Sequence, residues 1–286
     1  MRRRGTEIVT DPDDPRIADF VDLTDATARR AVEGSGGHGL FIVEGVITVG
    51  QLLASDYPVR SVLLTPSRAG SLGDLVAAVP DEVPVLVAER SVLRAVTGFN
   101  VHRGVLASAD RMALPSAEQL LAAHDRVVVV SRVNDHENLG ALFRTSAALG
   151  IGAVLVDDQC ADPLYRRAVR VSLGHVLHLP HARVGTVLGA FEAIRSTGHR
   201  IVALTPRAGS ADFEVIDVDA AAAQGFLDDP VAFVIGPEGP GLDEEVIDAA
   251  DHAVAIPMAP GVDSLNVATS LGVVAAFAAA RRGWAD

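Results

Sequence analysis

Val231-Ala232-Phe233-Val234-Ile235-Gly236-Pro237-Glu238-Gly239-Pro240-Gly241-Leu242 contains the transition on which the fold reading turns. Its first five residues are apolar without a break, the pattern of a strand buried on both faces. The next six hold three glycines and two prolines, which end the strand and let backbone approach a ligand closely. Apolar runs of the same kind recur at 127–130, 153–156, 201–204 and 253–256, with helical stretches between them. That alternation predicts an α/β unit with a mostly parallel sheet and flanking helices. Ligands of such sheets bind at the carboxyl ends of the strands.

Two more segments lie at predicted strand ends. Asn138-Leu139-Gly140-Ala141-Leu142-Phe143-Arg144-Thr145 reads as the start of a helix capped by Asn138. Leu139, Leu142, Phe143 and Ser146 fall on one face at i, i+3, i+4 and i+7. Arg144 lies off that face, among the small residues Gly140, Ala141 and Ala148, so its guanidinium is free to reach into a cleft. Ile256-Pro257-Met258 leaves the last strand, and after Gly261 the run Ser264-Leu265-Asn266-Val267 opens the final helix. Asp263 or Ser264 is the expected cap of that helix. Residues 265–280 are apolar nearly all round and predict a helix buried against the sheet or a second subunit. Asn266, Thr269 and Ser270 interrupt the stretch, which is too short to span a bilayer comfortably.

In order and spacing the three segments resemble the signature motifs of the SpoU (TrmH-type) RNA ribose 2′-O-methyltransferases of the SPOUT superfamily. The resemblance implies a trefoil-knotted domain over residues 121–286 with S-adenosylmethionine as cofactor. It places backbone contacts to that cofactor at Gly236, Ile256 and Leu265, with Met258 and Gly241 beside them. Asn138, Arg144, Glu238, Ser264 and Asn266 would surround the reacting centre. The implied activity is methyl transfer to a ribose 2′-hydroxyl of structured RNA, ribosomal or transfer, by a cytoplasmic homodimer. One subunit's pocket would borrow residues from the other. Family accounts often make the arginine matched by Arg144 a base. A guanidinium stays charged across the physiological range, so Arg144 is read here as binding the adjacent phosphate and stabilising the developing alkoxide.

The first part of the chain alternates strands at 40–43, 60–64, 85–88 and 104–107 with helices at 46–54, 71–79 and 91–96. A further helix is expected at 22–33, capped near Asp22 or Thr24. Phe41-Ile42-Val43-Glu44-Gly45, Leu52-Leu53 and His102-Arg103-Gly104-Val105 are similar to the L30e-like RNA-binding domain that precedes many SpoU catalytic domains. Arg103 stands where that family often has glutamine. The organisation expected is therefore a smaller α/β RNA-binding domain at 1–108, a linker at 109–120 with Pro115 as breaker, and the catalytic domain at 121–286.

Bulk properties bound this reading. The 286 residues suit one large or two modest domains, and 49% hydrophobic content describes a globular chain. Net charge is −13, from 24 basic and 37 acidic residues, and every basic residue is arginine. An acidic total neither supports nor excludes RNA, because phosphate contact needs only a local basic face. The lone Cys160 excludes an intramolecular disulfide framework and fits a reducing compartment. Arg2-Arg3-Arg4 is followed by Gly5-Thr6-Glu7 and no apolar run of signal type.

Other signals are weighed and set aside. Gly34-Ser35-Gly36-Gly37-His38-Gly39 fits G-x-G-x-x-G, but it precedes a strand instead of following one, against a dinucleotide site. His175, His178 and His181 recur every third residue; read as a strand, His175 and His178 face opposite sides, and Cys160 is the only thiol, against zinc. Arg166, Arg167, Arg170 and Arg183 make either a solvated face or an RNA-backbone contact. Two rivals remain: a non-catalytic RNA-binding or ribosome-assembly protein that keeps the fold, and a nucleotide-dependent enzyme such as a dehydrogenase.

Overall fold

The computed structural model describes residues 5–21, 23, 39–101, 103–206 and 214–282. The expected helix at 22–33, the glycine run up to His38 and His102 thus fall wholly or largely outside the described residues. The chain divides into two compact units: residues 1–113 with 164–178, and residues 114–163 with 179–286.

The first unit is a five-stranded sheet in the order β1-β4-β3-β5-β2, with β1 at Glu7–Val9, β2 at Leu40–Glu44, β3 at Val59–Leu64, β4 at Val85–Ala88 and β5 at Val105–Asp110. β5 runs antiparallel to β2 and β3, while β3–β4 and β4–β1 are parallel. Phe20, Leu63, Leu86, Leu93 and Leu106 fill its core. The helix expected at 71–79 is instead two short ones, Pro66–Ser71 and Gly73–Ala78, divided at Leu72 (φ −115°, ψ 45°). Pro66 at the first helical turn, with its fixed φ, starts the earlier of the two.

Residues 164–178, expected in the second domain, pack with the first unit. Arg166 Nη1 donates to Glu44 Oε2 at 2.6 Å, and its guanidinium lies 4.1 Å from the Phe99 ring centre. Glu44 is buried, so the charge pair ties this segment down more firmly than a surface pair would. His175 and His178 are not on a strand. A short 3-10 helix, His175–Leu177, follows Gly174 at φ +85°, where a Cβ would meet Gln51 Cβ at 2.6 Å.

The second unit is a seven-stranded sheet in the order β10-β12-β9-β11-β6-β7-β8: β6 Arg126–Val130, β7 Ala153–Asp157, β8 His181–Val184, β9 Arg200–Leu204, β10 Val215–Asp217, β11 Val231–Ile235 and β12 His252–Ala255. Every pairing is parallel. Helices flank the sheet, among them His136–Ala148, Val187–Ser196 and Val267–Arg282. β11 enters between β6 and β9, so its carboxyl end lies where the strand order reverses. The expected linker shortens: β5 runs to Asp110, and the helix Ala117–Ala123 begins with a capping box between Ser116 and Gln119. Strands 181–184, 215–217 and 7–9 were not expected; they are short or mix polar residues into the apolar pattern. Among the described residues no helix is long and apolar enough to cross a membrane, and no cluster of His, Cys, Asp and Glu could hold a metal ion.

His252 in β12 stacks on Phe226 with ring centres 3.7 Å apart. Burial first, then the Arg200 charge, push its pKa below the ordinary histidine value. The fold thus favours neutral His252, a contribution present above the unfolded-state pKa and lost as pH falls through the folded one. Tm measured from about pH 7 down to 5 should fall less steeply in His252→Gln than in the parent, and equal slopes would refute this.

Candidate active site

Leu204, Ile235 and Ala255 end β9, β11 and β12 on one edge of the second unit, and a cavity of about 620 Å³ opens there. Its walls come from residues 204–206 after β9, 235–239 with Gly241 and Leu242 after β11, Val254, Ile256 and Met258 around β12, and residues 262–265 leading to Val267, Ser270 and Val274. The glycine loop folds back on itself. A Cβ on Gly236 would stand 2.6 Å from Leu242 N and 2.7 Å from Gly241 C, both backbone atoms. Gly239 and Gly241 adopt φ of +86° and +71°, where side chains are strained. Gly241 N donates to Pro237 O at 3.1 Å, closing the turn.

The five residues expected at the cofactor, Gly236, Gly241, Ile256, Met258 and Leu265, all line this cavity, as do Glu238 and Ser264. Asn138 and Asn266 are not in the walls but are bound to Glu238. Asn138 Nδ2 donates to Glu238 Oε2 at 2.7 Å; Asn266 Nδ2 donates to Glu238 Oε1 at 2.8 Å and to Asn138 Oδ1 at 2.9 Å. One side chain from each of the three sequence segments thus meets the other two in a closed triangle.

Both helix caps differ from expectation, and the difference makes the triangle possible. Asp135 caps His136–Ala148, with Oδ1 accepting from Glu137 N and Asn138 N at 2.8 Å each. Asn138 therefore lies in the first turn with its amide free for Glu238. Asn266, not Asp263 or Ser264, caps the final helix: its Oδ1 accepts from Ala268 N at 3.0 Å and Thr269 N at 3.3 Å. The amide has an acceptor for the helix and two donor hydrogens for the site, whereas aspartate has no donor and a serine hydroxyl only one.

Leu139, Leu142, Phe143 and Ser146 are buried as the spacing requires. Arg144 is exposed, its side chain makes no hydrogen bond or ion pair among the described residues, and it is not in the cavity wall. The structure does not bring it to the other four. Of the other arginines, Arg166 is taken up by Glu44, while Arg183 Nη1 reaches Asp157 O at 3.4 Å. His181 is buried, edge-on to Phe143 at 5.5 Å. Thr205, Pro206, Val262, Ser270 and Val274 line the cavity without having been singled out; for the first two the signal was their place after the 201–204 strand.

Asn266 offers a separable test. Asn266→Ala should cost about 1 kcal/mol of stability through the lost cap, whereas Asn266→Ser keeps a capping oxygen and should stay within about 0.5 kcal/mol in urea denaturation. Alanine removes the two amide hydrogens given to Glu238 and Asn138, and serine leaves a single hydroxyl hydrogen on a shorter side chain that cannot replace both, so activity should fall in the two alike. An active Asn266→Ser variant would show that the triangle is dispensable.

Residues 125–276 match the model of the SpoU rRNA Methylase family. The chain is 41% identical over 262 residues to an uncharacterised tRNA/rRNA methyltransferase of Mycobacterium tuberculosis, a match spanning 92% of this chain and 88% of that one. An AdoMet-bound rRNA methyltransferase from Sinorhizobium meliloti shares the fold with a TM-score of 0.77 at 23% identity, over 98% of this chain and 99% of that one. A solved RNA 2′-O ribose methyltransferase superposes with a TM-score of 0.74 at 25% identity, over 96% and 99%.

Proposed function

The chain belongs to the SpoU rRNA methylase family, and from that premise we propose that it transfers a methyl group from S-adenosylmethionine to a ribose 2′-hydroxyl of ribosomal or transfer RNA. The observation that supports this most is the convergence of three separated segments on one cavity, with Asn138, Glu238 and Asn266 joined at its edge.

The residues present fit the cofactor. The cavity lies within the roughly 300–1,000 Å³ of ligand sites, Gly236 leaves its floor free of a side chain, and the carboxylates of Glu238 and Asp263 are complementary to a cationic sulfonium. Bound there, S-adenosylmethionine supplies an already activated methyl group. Positioning is then most of what the protein must do. Backbone at Gly236, Ile256 and Leu265 holds the cofactor, with Gly241 and Met258 closing around it. Asn138 and Asn266 fix the carboxylate of Glu238, and Ser264 lies in the same wall. Arg144 binds the phosphate beside the target nucleotide and stabilises charge building on the 2′-oxygen.

Arg144 lies outside its own cavity wall, which fits a homodimer in which it serves the partner's pocket. Val262, Leu265 and Phe277 offer exposed apolar surface for such an interface. Mapping 2′-O-methyl groups in ribosomal and transfer RNA from cells with and without the protein tests the activity. One or a few positions should lose the mark. Cofactor binding with no transfer to any RNA would favour the non-catalytic rival.

A further inference from the structure

Arg132 belongs to none of the three segments, yet it grips the glycine loop. Its φ of +51° places a non-glycine residue in the left-handed region, a conformation that persists only when its surroundings hold it. The buried carboxylate of Asp157, at the end of β7, does so: Oδ2 accepts from Arg132 N at 3.0 Å and from Ser131 Oγ at 3.2 Å. From this turn the side chain crosses to the loop after β11. Nη2 donates to Asp243 Oδ1 at 2.7 Å and to Gly241 O at 3.4 Å. Nε is buried with no hydrogen-bond partner among the described residues, so the Nη2 end alone orients the guanidinium.

Gly241 is the residue that folds over Gly236. We propose that Arg132 is a positioning residue for the cofactor loop: by holding Gly241 and Asp243 from the end of β6, it keeps the loop folded over Gly236 and so sets affinity for the methyl donor. The inference rests on the reading of this cavity as the S-adenosylmethionine site. Asp157 serves as anchor, the left-handed turn aims the side chain, and the guanidinium is the tether.

Calorimetric titration of the full chain with S-adenosylmethionine should show about tenfold weaker binding in Arg132→Met, with RNA affinity unchanged. Arg132→Gly separates backbone from side chain, because glycine accepts the left-handed φ without strain; it should bind as weakly as Arg132→Met. Arg132→Lys retains a cation able to reach Asp243 and should recover part of the loss. Parental affinity in either Arg132→Met or Arg132→Gly overturns the inference. Amide exchange reads the loop without ligand: protection of the Gly241 amide, which donates to Pro237 O, should fall in Arg132→Met. Unchanged protection overturns the inference even if the parent binds no cofactor, whereas a parent that binds none while the loop still loosens counts against the cavity assignment alone.

Discussion

Arg144→Ala should lower methyl transfer by roughly 10²–10³-fold, the size of effect seen when one preorganised donor to a developing negative charge is removed, with cofactor affinity unchanged. The residue is exposed and bears on no packing, so the variant should fold normally. Arg144→Lys keeps a point charge but loses the planar fork that grips phosphate; intermediate activity is expected, with an unshifted pH–rate profile. A profile that moves with this substitution, at unchanged RNA affinity, would make Arg144 a proton acceptor and refute its electrostatic role. Mixing two inactive proteins reads where the arginine acts. In heterodimers of Arg144→Ala with Gly236→Val, one intact pocket faces one intact arginine if the partner supplies it. Equal mixing then restores about a quarter of the sites, by the statistics of a twofold dimer. No recovery means the arginine serves its own chain or that subunits do not exchange, and exchange is checked with tagged subunits.

Gly236→Ala should weaken S-adenosylmethionine binding by roughly 10- to 100-fold, because the added methyl meets the backbone of Leu242 at 2.6 Å and of Gly241 at 2.7 Å. Backbone cannot swing aside as a flexible side chain can, so the loop must open, and overpacking of this kind typically costs about 1–3 kcal/mol. Gly239→Ala is the control. A Cβ there meets nothing within 4 Å, though φ of +86° makes it strained. It should cost about 1–2 kcal/mol of local strain with a much smaller loss of affinity. Equal losses from the two substitutions would mean that loop strain, not the close approach at Gly236, governs the site.

Strands were legible wherever the apolar pattern was unbroken. Residues 127–130, 153–156, 201–204 and 231–235 have the pattern expected of strands covered on both sides, and they form adjacent members of the parallel sheet. Strands at 181–184 and 215–217 were not legible, because His181, Arg183 and Asp217 break the pattern and only pairing with β7 and β12 makes them strands. Residues 164–178 read as part of the second domain, since nothing local shows that Arg166 will meet a buried Glu44 more than a hundred residues away. The caps were misassigned for a related reason. Asn138 and Asp135 both suit an N-cap, and choosing between them needs the competing partner, Glu238.

The sequence by itself determined which residue types stand at the strand ends: a glycine-rich turn after 231–235, amide residues at 138 and 266, and a carboxylate at 238. Periodicity and turn chemistry are local, acting over a few residues, so they can be read from the chain. Only the tertiary structure decided that Asn266 caps a helix and holds Glu238 at once, that Asp157 bends the chain so Arg132 reaches Gly241, and that Arg144 lies outside the cavity. Those outcomes depend on contacts between residues up to 128 positions apart, such as Asn138 with Asn266. Packing selects them from several local arrangements of similar free energy, and no short window of sequence records that choice.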